Sequence, residues 1–127
     1  MAETSKGRLI GFWILTGLVV LSQGASGVMD LLGTEALLEQ FAALGYPAYL
    51  PMILGPAKIS GVIVLAMPRL PRLKEWAYAG FVIDFIGAAA SHVFNGDGPD
   101  KIMPPVIFLL VVLGSYALRP DSRKLAA

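Results

Sequence analysis

Between Leu9 and Met29 the chain runs for 21 residues without an Asp, Glu, Lys, Arg or His. Roughly 18 or more such residues read as a membrane-spanning helix, because about 20 residues at 1.5 Å rise cross the hydrocarbon. Three further apolar runs follow, Tyr49 to Met67, Trp76 to Phe94 and Ile102 to Leu118, of 19, 19 and 17 residues. The four together hold 76 of the 127 residues. Hydrophobic residues make up 56% of the chain and charged residues 15%, against roughly 25% charged in an ordinary globular domain. This excludes a soluble enzyme, a nucleic-acid-binding module and a disordered tail; a net charge of +1 gives nucleic acid nothing to follow. The absence of cysteine excludes disulfides, thiol chemistry by this chain and cysteine metal sites. The first run reads as a retained span, since signal peptides have shorter apolar cores. The last is the shortest, and Pro104 and Pro105 fit its first turn.

Basic residues set the direction. Lys6 and Arg8 precede the first run, Arg69, Arg72 and Lys74 separate the second and third, and Arg119, Arg123 and Lys124 follow the fourth. Eight of ten Lys and Arg thus fall on one side; only Lys101 lies opposite, among Asp30, Glu35, Glu39, Asp97 and Asp100. Basic residues in short loops stay cytoplasmic. The expected fold is an all-α integral membrane four-helix bundle, one domain over residues 1–127, with both termini cytoplasmic and spans at about 9–29, 49–67, 76–94 and 102–118.

A short amphipathic helix is expected at about 35–44, between the first two spans. Thr34 can cap it, Glu35 suits its positive end, and Gly45 and Pro47 close it. Leu37, Leu38, Phe41 and Leu44 share one face, which suits either the outer membrane surface or a lid folded over the bundle.

Ionisable groups inside a bilayer are costly and normally face protein or water beside a partner. Lys58 lies nine residues from each end of the second run, and Asp84 lies eight residues into the third. Both fall near the midplane on antiparallel neighbours, so a Lys58–Asp84 ion pair is expected. Nearer the outer face, Gln23, Ser91 and His92 sit about 21–24 Å from the inner ends of their outward-running helices. Gln23 and Gly27 share a face with Thr16 and Asp30. Gln23, Lys58, Asp84, Ser91 and His92 are therefore the candidate lining of one outward-opening cavity, with Asp84 and His92 the candidate acid–base pair. One histidine without cysteine makes no zinc site, and no metal is expected.

Small residues suggest close helix packing: Gly80, Gly87, Ala88 and Ser91 flank Asp84, and Gly55 and Gly61 flank Lys58. Pro56 should kink or locally unwind the second span. Trp13, Trp76, Tyr46, Tyr49 and Tyr78 fit interfacial aromatic belts. Gly11 and Gly17 leave a small-residue face on which a homo-oligomer could form.

Gly55-x-x-Lys58-x-x-Gly61, the inner string Arg72-Leu73-Lys74-Glu75-Trp76-Ala77-Tyr78-Ala79-Gly80, and then Asp84, Gly87-Ala88, Ser91-His92 and Gly96-Asp97 resemble the DoxX-like family of small four-helix membrane proteins. That family is similar in organisation to the small subunit of an archaeal thiosulfate:quinone oxidoreductase. The resemblance implies a bacterial plasma (inner) membrane and a quinone-linked redox setting, with quinone the implied cofactor and none intrinsic. Two functions follow. One is an accessory or assembly subunit of a membrane redox enzyme. The other is a membrane enzyme or carrier for a small lipophilic molecule, in which Gln23 and Ser91 orient the ligand and Lys58 tunes Asp84.

Overall fold

The computed structural model describes residues 5–125, and among these every regular element is helical. Helix α1 spans Lys6–Leu32, α2 Glu35–Ala43, α3 Leu50–Ala66, α4 Pro71–Phe94 and α5 Pro99–Leu118, and a 3₁₀ turn follows at Asp121–Arg123. The hydroxyl of Ser5 opens α1 by accepting the Arg8 N–H. Gly33 ends it in the left-handed region at φ 57°, where a residue without Cβ is least strained. Thr34 caps α2 by accepting the Leu37 N–H. This cap and the Gly33 turn account for the short α2 expected between the first two runs.

Three helices, α1, α4 and α5, are long and apolar enough to cross a membrane; α3 is apolar but only 17 residues long. The protein is an integral membrane protein. The short member is thus the second run and not the last, a correction with a local cause. Gly98 and Pro99 start α5 before the charged pair Asp100 and Lys101, so the helix takes in residues that the apolar count leaves out. Pro99, not Pro104 or Pro105, occupies the first turn, and the latter two lie inside the helix. Helix α3 likewise continues through Pro56 without interruption, so the expected unwinding is absent. Interior prolines are tolerated in membrane helices where small local adjustments satisfy the freed backbone.

Helix α1 packs on α3 and α5, and α4 packs on the same two. Phe12, Val19, Val62, Leu65, Tyr78, Phe81, Phe85 and Val112 are buried between them. The outer faces are apolar, with Leu21, Ile83 and Phe94 among the most exposed side chains. The closest approach joins α1 to α3. A Cβ on Gly55 would lie 2.9 Å from the Gly27 carbonyl, and one on Gly27 would lie 3.0 Å from the Gly55 carbonyl. On α4 the small residues do something else: a Cβ on Gly80 or Gly87 would meet nothing within 4 Å. They leave open volume instead of drawing helices together. A Cβ on Gly11 would lie 3.1 Å from the Leu118 side chain, so Gly11 belongs to the internal packing and not to an outer face.

The end that holds the basic residues is tied together by them. Arg8 donates to the carbonyls of Leu118 (3.2 Å) and Arg119 (3.0 Å) at the end of α5. The buried Lys74 donates to the carbonyls of Val64 and Met67, and Arg123 to those of Leu65 and Met67, at the end of α3. Arg123 also lies over the Trp13 ring at 5.0 Å. Cations suit these positions because the last carbonyls of a helix have no intrahelical donor and carry partial negative charge. Lys74 thereby braces the short link in which Arg69 and Leu70 take left-handed φ of 65° and 57°. Beside it, Glu75 accepts from the Tyr116 hydroxyl (2.7 Å) and pairs with Arg119 (3.3 Å).

A polar chain crosses the core. Ser115 lies 2.6 Å from the Thr16 hydroxyl and 2.7 Å from that of Tyr78, joining α1, α4 and α5. Tyr78 is therefore a buried core residue and not part of an interfacial belt.

Candidate functional site

A cavity of about 1110 Å³ occupies the half of the molecule opposite the basic end. Gln23, Lys58, Asp84, Ser91 and His92 all line it. Helix α1 supplies Gln23 from its buried stripe of Thr16, Gln23, Gly27 and Asp30; α3 supplies Lys58; α4 supplies the other three. Helix α2 closes one side with Phe41, Leu44 and the Tyr46 that follows, so it lies over the cavity as a lid. Phe85 and Phe108 stack at 5.8 Å on the inner wall. A second hollow of about 320 Å³ runs between α3 and α4. Leu54, Lys58, Gly80 and Asp84 line both spaces, so the two meet at the charged pair of positions.

The expected Lys58–Asp84 pair does not form. The Lys58 ammonium lies 3.0 Å from Asp30 Oδ2 and donates to the Ser26 hydroxyl at 3.0 Å. The cause is the Gly27–Gly55 approach. It sets the Lys58 Cβ against Gly27, and Ser26 and Asp30 are within one turn of that glycine. The four-carbon stem runs along α1 and delivers its charge there. Asp30 is only 2% exposed, and its Oδ2 faces the ammonium off the hydrogen-bond axis. Asp84 has neither a hydrogen bond nor an ion pair within 4 Å among the described residues. Its carboxyl is bare toward the cavity.

Ser91 donates to the Gly87 carbonyl at 2.7 Å, which leaves its oxygen to accept from Tyr46 and tie the lid segment to α4. His92 Nδ1 lies 2.7 Å from Asp97 Oδ2, so its carboxylate is Asp97 and not Asp84. The His92 and Asn95 hydrogen bonds hold the Asp97 carboxyl below the usual carboxylate range. His92 and Asp84 share no hydrogen bond among the described residues, so they do not form a direct acid–base pair.

The residues that sequence reasoning missed are Ser26, Asp30, Tyr46 and Asp97. Asp30 was within reach, since it continues the Thr16–Gln23–Gly27 stripe at helical spacing. Its partner was not, because pairing depends on how α1 and α3 are rotated against each other.

The lid, the α4 stripe and the inner string all lie within residues 14–115, the stretch that matches the model of the DoxX-like family. The chain belongs to the DoxX-like family. No curated protein and no solved structure matches it. In this family member the inner string has a structural explanation: Lys74 closes α3, Glu75 ties α4 to α5, and Tyr78 joins the core chain.

Proposed function

We propose that this DoxX-like protein is a four-span bundle with both ends in the cytoplasm that holds a small lipophilic molecule in its outward-opening cavity. The bare Asp84 carboxyl carries the reading. A polar group without a partner at membrane depth is costly and by default functional, and this one faces a space larger than most small-molecule pockets. The hollow between α3 and α4 supports it as well, since it meets the cavity at Asp84 and gives a molecule dissolved in the bilayer a lateral way in. Gln23 and Ser91 orient the polar head, and the stacked Phe85 and Phe108 pack the apolar body.

Native mass spectrometry of the protein extracted with its lipids tests this, with Asp84→Asn and the cavity-filling Ala88→Phe beside the unsubstituted chain. A bound lipophile lost in both variants is the expected result. The same adducts on all three proteins, or none on any, sink the reading.

A second reading is an accessory subunit of a quinone-linked redox enzyme in the bacterial inner membrane. It is favoured by family membership and by short links at the basic end, which direct partners to the membrane faces. Its mark is a partner chain that co-purifies irrespective of Asp84.

A further inference from the structure

The loss of Lys58 to Asp30 has a chemical consequence for whatever the cavity holds. Asp84 sits on the cavity wall without a hydrogen bond or ion pair of its own, although the Lys58 ammonium, held by Asp30, lines the same wall. Glu39, Asp97 and Asp100 add three more carboxyls to the lining, while Lys101 is the one further ammonium among the described lining residues. With Asp30 paired to Lys58, carboxylates outnumber ammonium groups in the lining. An anionic head would enter against that field, and a neutral one would leave Asp84 as it stands.

The neutral groups agree. Gln23 is 6% exposed and lines the cavity, and its side-chain amide has no hydrogen-bond partner among the described residues. It is a buried polar group aimed into the space and left for a ligand to satisfy. Pro104 and Pro105 have no N–H to offer the carbonyls of Asp100 and Lys101, which stand at the rim. Phe41, Tyr46, Phe85 and Phe108 line the same space, and aromatic rings attract organic cations that reach their faces. Carboxylates and aromatic rings are thus well represented in the lining.

We propose that the occupant is a lipophilic organic cation, an amine or quaternary ammonium on an apolar body, whose charge pairs with Asp84 while Gln23 completes its polar shell. This rests on the cavity being a binding site and narrows its ligand to one charge class. The cation supplies the direct ion-pair partner that Asp84 lacks within the fold. No covalent step is involved.

The test uses the purified full chain in nonionic detergent and three probes with matched decyl tails: decyltrimethylammonium, its neutral tert-alkyl isostere, and decylubiquinone. Affinity is read from the ligand-dependent shift of the melting midpoint and from native mass spectrometry. On the unsubstituted protein the cation should bind at least about tenfold more tightly than its isostere. Asp84→Asn should abolish that preference and Asp84→Glu should keep most of it. Because the charge contrast is read on the unsubstituted chain, it does not depend on any variant folding. Equal binding of cation and isostere, or decylubiquinone outbinding the cation, overturns the proposal while leaving the cavity as a binding site. If none of the three probes binds, the cavity reading falls with it.

Discussion

Replacing Asp30 with Asn removes the carboxylate that holds Lys58 and asks where the ammonium goes next. The pair is deep: Asp30 is 2% exposed and the Lys58 side chain 13%. Breaking a buried pair by removing one partner costs about 3–5 kcal/mol when the remaining charge finds nothing. Here it finds something, because Asp84 lines the same cavity. Swinging to Asp84 recovers part of the loss, so Asp30→Asn alone should cost about 1–3 kcal/mol. Asp84→Asn alone should cost no more than about 1 kcal/mol, since Asp84 has no donor to lose. The double variant leaves Lys58 without any carboxylate and should cost about 3–5 kcal/mol. The two sites are then coupled by roughly 1–2 kcal/mol through an ammonium that touches only one of them in the native protein. Reversible unfolding in mixed micelles, followed by the fluorescence of Trp13 and Trp76, measures all four corners. If Asp84→Asn costs as much as Asp30→Asn, the assignment of Lys58 to Asp30 is wrong; if the two costs add within about 0.5 kcal/mol, Lys58 does not swing to Asp84.

Gly55→Ala should destabilise by about 1–3 kcal/mol, because its Cβ would lie 2.9 Å from the Gly27 backbone and 2.8 Å from the Leu31 side chain. Gly87→Ala, with open space around it, should be neutral or slightly stabilising in the same unfolding assay. Lys74→Met should cost about 1–3 kcal/mol by stripping the donor from the Val64 and Met67 carbonyls, with hydrogen exchange rising first at the α3–α4 link. The Asp97 carboxyl, held down by His92 and Asn95, stabilises the fold above the ordinary carboxylate range. That contribution fades as pH falls through the depressed folded-state value. The difference in melting midpoint between the unsubstituted chain and Asp97→Asn should therefore be present at neutral pH and vanish toward acid; a constant difference would refute the link.

Much of the architecture is written along the chain. Apolar run length acts residue by residue, as does the Thr34 cap that opens α2. Each depends on transfer energies or local backbone geometry that need no distant partner. The five candidate cavity residues were legible for a related reason: polar groups inside apolar runs stand out wherever the helices turn. Element edges were less so. Pro99 and Gly98 extend α5 over two charged residues that a hydropathy count must exclude.

What tertiary structure alone decided is who pairs with whom. Lys58 went to Asp30 and Tyr78 to Ser115. Spacing permitted several partners in each case. The choice fell to interhelical distance and rotation, which for Lys58 is set where Gly27 and Gly55 let two backbones approach. Helix packing likewise placed the basic residues Arg8, Lys74 and Arg123 against helix-end carbonyls. Transfer into a membrane is a sum over residues and survives in one dimension. A hydrogen bond or an ion pair is a property of two groups within about 3 Å of each other, and only the packed helices bring the second group to the first.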